Sequence, residues 1–383
     1  MSTDITLFSV MMLPVGMWRY EDNSGTLMNF LYLSATKINL QHTSDMKKLT
    51  LITGPLFIAL LFISFQMDGQ DQDPMQYIYV QGNQFVKESG EPILFRGVNI
   101  RDPHNLAEEG RWTFAHFEKA KEWGSNVIRL PVHPASWRDR GQEAYLKLID
   151  QAVEWARQLG IYLIIDWHSI GNLKEEKFQS PGYVTTIKET NAFWFAVSKR
   201  YAREPVVAMY ELYNEPTISG DRFGEMTWAE WKEINQQFIR TIRVNHEAAV
   251  ILVAGFDWAY ELRNVKDDPI QAQGIAYVSH PYPQKVKPPW EPKWQEDWGY
   301  VAEKYPVILT EIGFAVPGER GLHVPVEGDE TYGNALVDYA YDRGISWVVW
   351  CFDPRWSPLM FTDWDYTPTR QGEFFRNVMT GAQ

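Results

Sequence analysis

Residues 206–216 read VVAMYELYNEP, an apolar run broken only by Glu211 that ends abruptly in Asn214, Glu215 and Pro216. A short run rich in Val and aromatic residues, without polar alternation, suits a strand buried on both faces. Pro216 cannot donate to a ladder and marks the exit. Seven further runs repeat the pattern, at 93–100, 127–132, 161–166, 250–254, 275–279, 307–310 and 347–350. Longer amphipathic stretches separate them, such as YLKLIDQAVEWARQLG at 145–160, where Gly160 sits at the expected helix end. Eight buried strands alternating with helices predict a parallel sheet covered on both faces, and eight units favour closure into a single (β/α)8 TIM barrel. The segment RGVNIRDPHNL at 96–106 lacks the glycine spacing of a dinucleotide fold.

Outward from the barrel, YIYVQGNQFVKESGEPILF at 77–95 alternates around turn residues and predicts an N-terminal β-hairpin. The catalytic domain is therefore placed at 76–383. Upstream, 49–65 (LTLITGPLFIALLFISF) carries no charge and follows Lys47 and Lys48, the pattern of a secretory signal. No small-x-small cleavage site follows it, so a retained membrane anchor at 49–65 is the alternative. Residues 46–75 are read as this signal plus the polar linker QMDGQDQDPMQ, and 1–45, which show no sustained period, as a mis-called or disordered extension before a start at Met46. The expected location is secreted or periplasmic, or membrane-anchored with the barrel outside.

Composition narrows the ligand. The chain has 36 basic and 49 acidic side chains, a net charge of −13, which disfavours nucleic acid and anionic membrane surfaces. The lone Cys351 excludes a disulfide framework and thiolate zinc sites. Of 17 Trp, all but Trp18 fall in 76–383, and flat indole faces suit sugars. No cofactor, metal or obligate protein partner is implied.

Barrel chemistry gathers where strands end. The second run holds Arg129 and is followed by His133; the third ends in Asp166, Trp167 and His168. The fourth ends in Asn214 and Glu215, the sixth in His280, Pro281 and Tyr282, the seventh in Glu311, the eighth in Trp350. Two glutamates at separate strand ends match the carboxyl pair of glycoside hydrolysis, in which one group must hold a proton near neutrality. A metal-dependent hydrolase would want an H-x-H pair, which 76–383 lacks.

RGVN, NVIRLPV, IIDWH, YELYNEP, SHPY, TEIGF and WVVW, in this order, resemble glycoside hydrolase family 5, the cellulase family, over essentially all of 77–383. The resemblance implies a retaining mechanism with Glu215 as acid/base and Glu311 as nucleophile. It implies a linear β-glycan substrate and an endo-β-1,4-glucanase, with β-mannanase or xyloglucanase activity on the same site, or an inactive glycan-binding barrel, as alternatives. In that frame Asn214 donates to the sugar 2-hydroxyl, Arg129 and Tyr282 hold Glu311 ionised, and His168 and His280 are neutral donors. Trp350 is an apolar floor, and His104 also reaches the sugar. Trp258 is the first candidate for a stacking platform, ahead of Trp137, Trp290, Trp294 and Trp356. Glu211, in phase with Glu215, is expected to pair with Arg96 lower in the barrel, with a pairing to Arg129 as the alternative.

Overall fold

The computed structural model describes residues 15–21, 27–33, 75–217, 220 and 222–382. The chain divides into two compact units, Met1–Gln70 and Asp71–Gln383. In the first, β1 (Val15–Glu21) and β2 (Leu27–Leu33) pair antiparallel with Trp18 opposite Phe30, a hairpin that the irregular pattern of 1–45 does not announce. The apolar run 49–65 lies outside the described residues. Among the described residues, no helix is long and apolar enough to cross a membrane.

The second unit opens with the expected hairpin, β3 (Ile78–Gln81) and β4 (Gln84–Lys87), paired antiparallel. Four parallel strands begin the barrel: β5 (Arg96–Asn99), β6 (Val127–Val132), β7 (Tyr162–Trp167) and, after two rim strands, β10 (Val207–Glu211). The rim strands are β8 (Ile170–Asn172) and β9 (Lys177–Phe178), joined by β11 (Glu215–Pro216). β12 (Val250–Ala254), β13 (Ile275–Val278), β14 (Val307–Ile312) and β15 (Ser346–Val349) complete the ring. β15 pairs with β5, Trp347 opposite Arg96 and Val349 opposite Val98, and this pairing closes the barrel.

Period-two alternation sorts each strand into an inner and an outer face. Ile164, Leu252, Ala276, Val278, Ile308 and Val348 fill the interior, while Leu163 and Ile165 face the helix layer. The hairpin seals the end where strands begin: Phe85 meets Phe95 edge-on at 5.5 Å, and Phe95 meets Tyr162 at 5.6 Å. With that end plugged by aromatic rings, polar chemistry is confined to the opposite mouth. Helix Gln142–Leu159 buries Tyr145, Leu146, Ile149, Ala152, Val153 and Ala156, and Gly160 ends it in the left-handed conformation at φ +63°. Trp167, Trp194, Trp231, Trp294, Trp298 and Trp347 are fully buried. Each removes roughly 200 Å² from water, worth about 5 kcal/mol of transfer free energy before ordering costs. Much of the tryptophan excess is therefore structural.

Candidate active site

Arg129, inward-facing on β6 and fully buried, organises the mouth. Its Nε and Nη2 bind both oxygens of Glu211 at 2.7 and 2.9 Å, and Nη2 also reaches Asn214 Oδ1 at 2.6 Å. Nη1 donates to Asn99 Oδ1 at 2.9 Å and to Glu311 Oε1 at 3.2 Å, and Asp166 Oδ2 lies 3.0 Å from Nη2. A planar fork of five donors suits this division among acceptors on four strands better than an ammonium would. Glu211 thus pairs with Arg129 rather than with Arg96, whose guanidinium lies 6.0 Å from the Tyr341 ring centroid. The inward phase of position 129 brings its charge to the barrel axis, whereas Arg96, at the start of β5, packs outside.

Glu215 leaves the barrel wall. Its backbone N–H donates to Ser169 O at 3.0 Å, and β11 pairs with β8 across the rim. Its Oε1 lies 2.9 Å from His280 Nδ1. Glu311, at the end of β14, accepts from Arg129 on Oε1 and from Tyr282 Oη on Oε2 at 2.9 Å. Ligand atoms of Glu215, His280 and Glu311 all lie within 4.8 Å of one another. This is the one such trio among the described residues that is spaced for a cation, and each Glu311 oxygen there already accepts from Arg129 or Tyr282.

Burial raises both carboxyl groups, with different opposition. Burial lifts Glu215 to about 7, against the charges of Lys285 and Arg129 and with those of Asp257 and Glu211. Glu311 is also raised, by burial first and by Glu215, while His280, Arg129 and the Tyr282 hydrogen bond pull it down. Net depression by Arg129 and Tyr282 was the expectation; burial outweighs them. Asp166, Glu211, Glu215 and Glu311 face one guanidinium, so they cannot all be ionised together at low cost. Burial lowers His280 to about 4, so its ring is neutral at pH 7.

Asn214 turns Oδ1 to Arg129, and its buried Nδ2 has no partner among the described residues. His168 holds Asp166 Oδ2 through Nδ1 at 2.6 Å and stacks on Trp350, ring centroids 5.3 Å apart and 6° from parallel. His168 and Trp350, with Glu215, Tyr282 and Glu311, line a cleft of about 490 Å³, which Trp258 and Trp356 also line. Trp258 is pinned through Nε1 to Gln179 Oε1 at 2.8 Å. The remaining candidate platforms pack elsewhere. Trp137 lies among Tyr145, Trp167 and Phe193, Trp294 is fully buried, and Trp290 stacks on Trp294.

His104 does not line this cleft. It sits in the short helix Pro103–Glu108, where its Nδ1 accepts from Arg140, and Arg140 in turn binds Glu108. His133 lies behind cleft residues: Asp102 Oδ2 holds its Nδ1 at 2.9 Å, and its ring lies 4.6 Å from His168 and 5.4 Å from Trp356. Sequence reading noted His133 behind the second run without assigning it, and missed Tyr183, Lys285 and Thr310. Thr310 lies next to Glu311, so the strand-end rule was a usable signal for it. Tyr183 ends the short 3-10 turn Pro181–Tyr183 and Lys285 stands in a loop, neither with a readable period. The Lys285 ammonium binds Asp257 Oδ1 at 3.2 Å and lies 5.2 Å from the Trp258 ring centroid.

The family model of cellulase (glycosyl hydrolase family 5) matches residues 86–355. The chain belongs to this family. A β-glucanase, SdGluc5_26A from Saccharophagus degradans, is 50% identical with a TM-score of 0.79, covering 80% of this chain and 94% of that one. A structure of the same β-glucanase in complex with cellotetraose is 49% identical over the same shares, also at TM-score 0.79. Endoglucanase A of Butyrivibrio fibrisolvens is 26% identical over 71% of this family 5 chain, which spans 59% of that enzyme's length. An endoglucanase of Paenibacillus polymyxa is 25% identical over 75% of this chain and 83% of its own.

Proposed function

We propose that this family 5 chain is a retaining, endo-acting β-glucanase that hydrolyses β-1,4-glucosidic bonds, with Glu311 as nucleophile and Glu215 as acid/base. The observation that carries the reading is the inequality of two buried carboxyl groups whose oxygens approach within 4.8 Å. Retaining enzymes place their carboxyl groups about 5–5.5 Å apart, without room for a water between the second carboxylate and the anomeric carbon. Glu311 holds two fixed donors, Arg129 and Tyr282, which favour its charge. Glu215 has no such pair and is pushed to about 7, so it keeps a proton near neutrality.

In the first step Glu311 bonds to the anomeric carbon as the glycosidic C–O bond breaks, and the leaving oxygen takes the Glu215 proton. In the second, Glu215, now a carboxylate, removes a proton from water, which displaces Glu311. The free Nδ2 of Asn214 is the donor for the sugar 2-hydroxyl. Trp350, braced by His168, is the floor under the reacting ring, and Trp258 and Trp356 are platforms further along the cleft. The cellotetraose complex of the 49% identical β-glucanase supports a glucan rather than a mannan substrate.

Product profiles on carboxymethylcellulose, mixed-linkage glucan, glucomannan and xyloglucan test the reading. Cleavage of the first two, with internal cuts, is expected; cleavage confined to mannan or xyloglucan would overturn it. Export rests on the apolar run 49–65 behind Lys47 and Lys48. Cell fractionation that left the active enzyme wholly in the cytoplasm would reject export.

A further inference from the structure

His280 touches three groups through two nitrogens. Nδ1 lies 2.9 Å from Glu215 Oε1 and 3.9 Å from Glu311 Oε2, and Nε2 lies 2.9 Å from Thr310 Oγ1. The tautomer of a neutral imidazole is set by whichever partner has no freedom of its own. Thr310 has none. Its Oγ1 also lies 2.9 Å from Glu211 Oε1, and both Glu211 oxygens already accept from Arg129 at 2.9 and 2.7 Å. Thr310 therefore donates its single hydroxyl proton to Glu211 Oε1, an oxygen held against the Arg129 guanidinium. Thr310 Oγ1 is then an acceptor toward His280, and the imidazole proton is on Nε2. Nδ1 is left as a lone pair facing Glu215.

We propose that Thr310 is a positioning residue: held by Arg129 through Glu211, it locks His280 in the Nε2–H tautomer and so keeps the acid's proton on Glu215. An ionised Glu215 would face a lone pair across 2.9 Å, whereas a protonated one donates to it. The lock deepens the acid/base assignment of Glu215 and rests on it. It acts in both steps. The protonated resting group is favoured before cleavage, and the carboxylate left afterwards, without a donor from His280, is a stronger base toward water. No bond beyond those of the two-step hydrolysis is made or broken.

Other charges also face this pair. From the barrel, Arg129 opposes the Glu215 proton, while Glu211, Asp166 and Glu311 favour it. From the loops, Lys285 opposes it and Asp257 favours it. The phenols of Tyr183, Tyr213 and Tyr282, all raised by burial, stay neutral. None of these groups contacts Nε2, so the tautomer is the business of Thr310 alone among the described residues.

Two measurements test the lock. Nitrogen NMR of histidine-labelled protein, with His280 assigned by the signals lost in His280→Gln, should show a proton on Nε2 and a bare Nδ1. A proton on Nδ1 in the resting enzyme would overturn the proposal without any reference to activity. Thr310→Val keeps the shape and removes the hydroxyl, freeing the ring to donate from Nδ1 to an ionised Glu215. The basic limb of kcat/KM should then move acidward by about one pH unit. Hydrolysis of a poor leaving group at pH 7 should fall about tenfold, with little loss for an activated aryl glycoside. Thr310→Ser, which restores the hydroxyl, should return the profile toward wild type. A Thr310→Val profile superimposable on wild type would reject the lock. If the wild-type chain cleaved no β-glucan, the function reading would fall, and the nitrogen spectrum alone would judge the tautomer.

Discussion

Glu215 and Glu311 meet the same burial, and their partners set them apart. Activity requires Glu311 ionised and Glu215 protonated, so the pH–rate profile should be a bell. Its basic limb should fall through about 7 as Glu215 loses its proton, and its acid limb should fall as Glu311 gains one. A profile flat across both titrations would count against the pair. The same group predicts a stability effect of fixed sign. The folded state holds the Glu215 proton up to about 7, and the unfolded chain releases it near 4.5. Between those values the folded state binds more protons, so stability falls as pH rises. Glu215→Gln, which keeps a donor toward His280 and has no charge to bury, should be as stable as wild type below about 4 and more stable above about 7. The difference should be on the order of 3 kcal/mol at its largest, read from denaturant midpoints across pH. Equal midpoints at pH 8 would show that the carboxyl is not held in its neutral form.

At the scale of elements, strand ends place the chemistry and loops tune it. Asp257, Trp258 and Ala259 follow β12 with φ of +56°, +56° and +58°, three successive left-handed residues without a glycine among them. Such backbone is costly and persists only where surroundings fix it. Gly255 permits the approach, since a Cβ there would lie 1.8 Å from Glu261 O. The loop delivers Trp258 to the cleft, against Gln179 on one side and Lys285 on the other. Trp258→Ala should raise KM for long glucans about fivefold, the loss of roughly 1 kcal/mol of stacking, with kcat nearly unchanged. An unchanged KM would remove Trp258 from the substrate path. This geometry also marks what the sequence could announce. Arg129, His168, Asn214, Glu215, His280, Tyr282, Glu311 and Trp350 sit on or just past strands, where apolar runs and their polar terminators are visible residue by residue. His104 lies off the cleft because a helix beginning at Pro103 carries it toward Arg140. Lys285 was invisible because its role depends on where a loop folds back. The Glu211 partner was misjudged for a related reason: strand phase predicts depth in the barrel, but neighbours across the barrel depend on closure.

On the scale of the whole molecule, the barrel separates a dry, plugged end from a charged mouth. Phe85, Phe95 and Tyr162 fill the end where strands begin, and the carboxyl cluster is gathered at the other around the single guanidinium of Arg129. That guanidinium supplies positive charge where a metal would otherwise be wanted. Activity should therefore survive exhaustive chelation and dialysis; loss on chelation with recovery on adding back a divalent ion would assign the Glu215, His280 and Glu311 trio a different chemistry. The most direct test of the account is to trap the glycosyl-enzyme with an activated 2-deoxy-2-fluoro-β-cellobioside and map the adduct by peptide mass spectrometry. The account predicts one covalent sugar on Glu311, absent in Glu311→Gln. A sugar on any other residue, or turnover to the inverted anomer with no adduct, would contradict it.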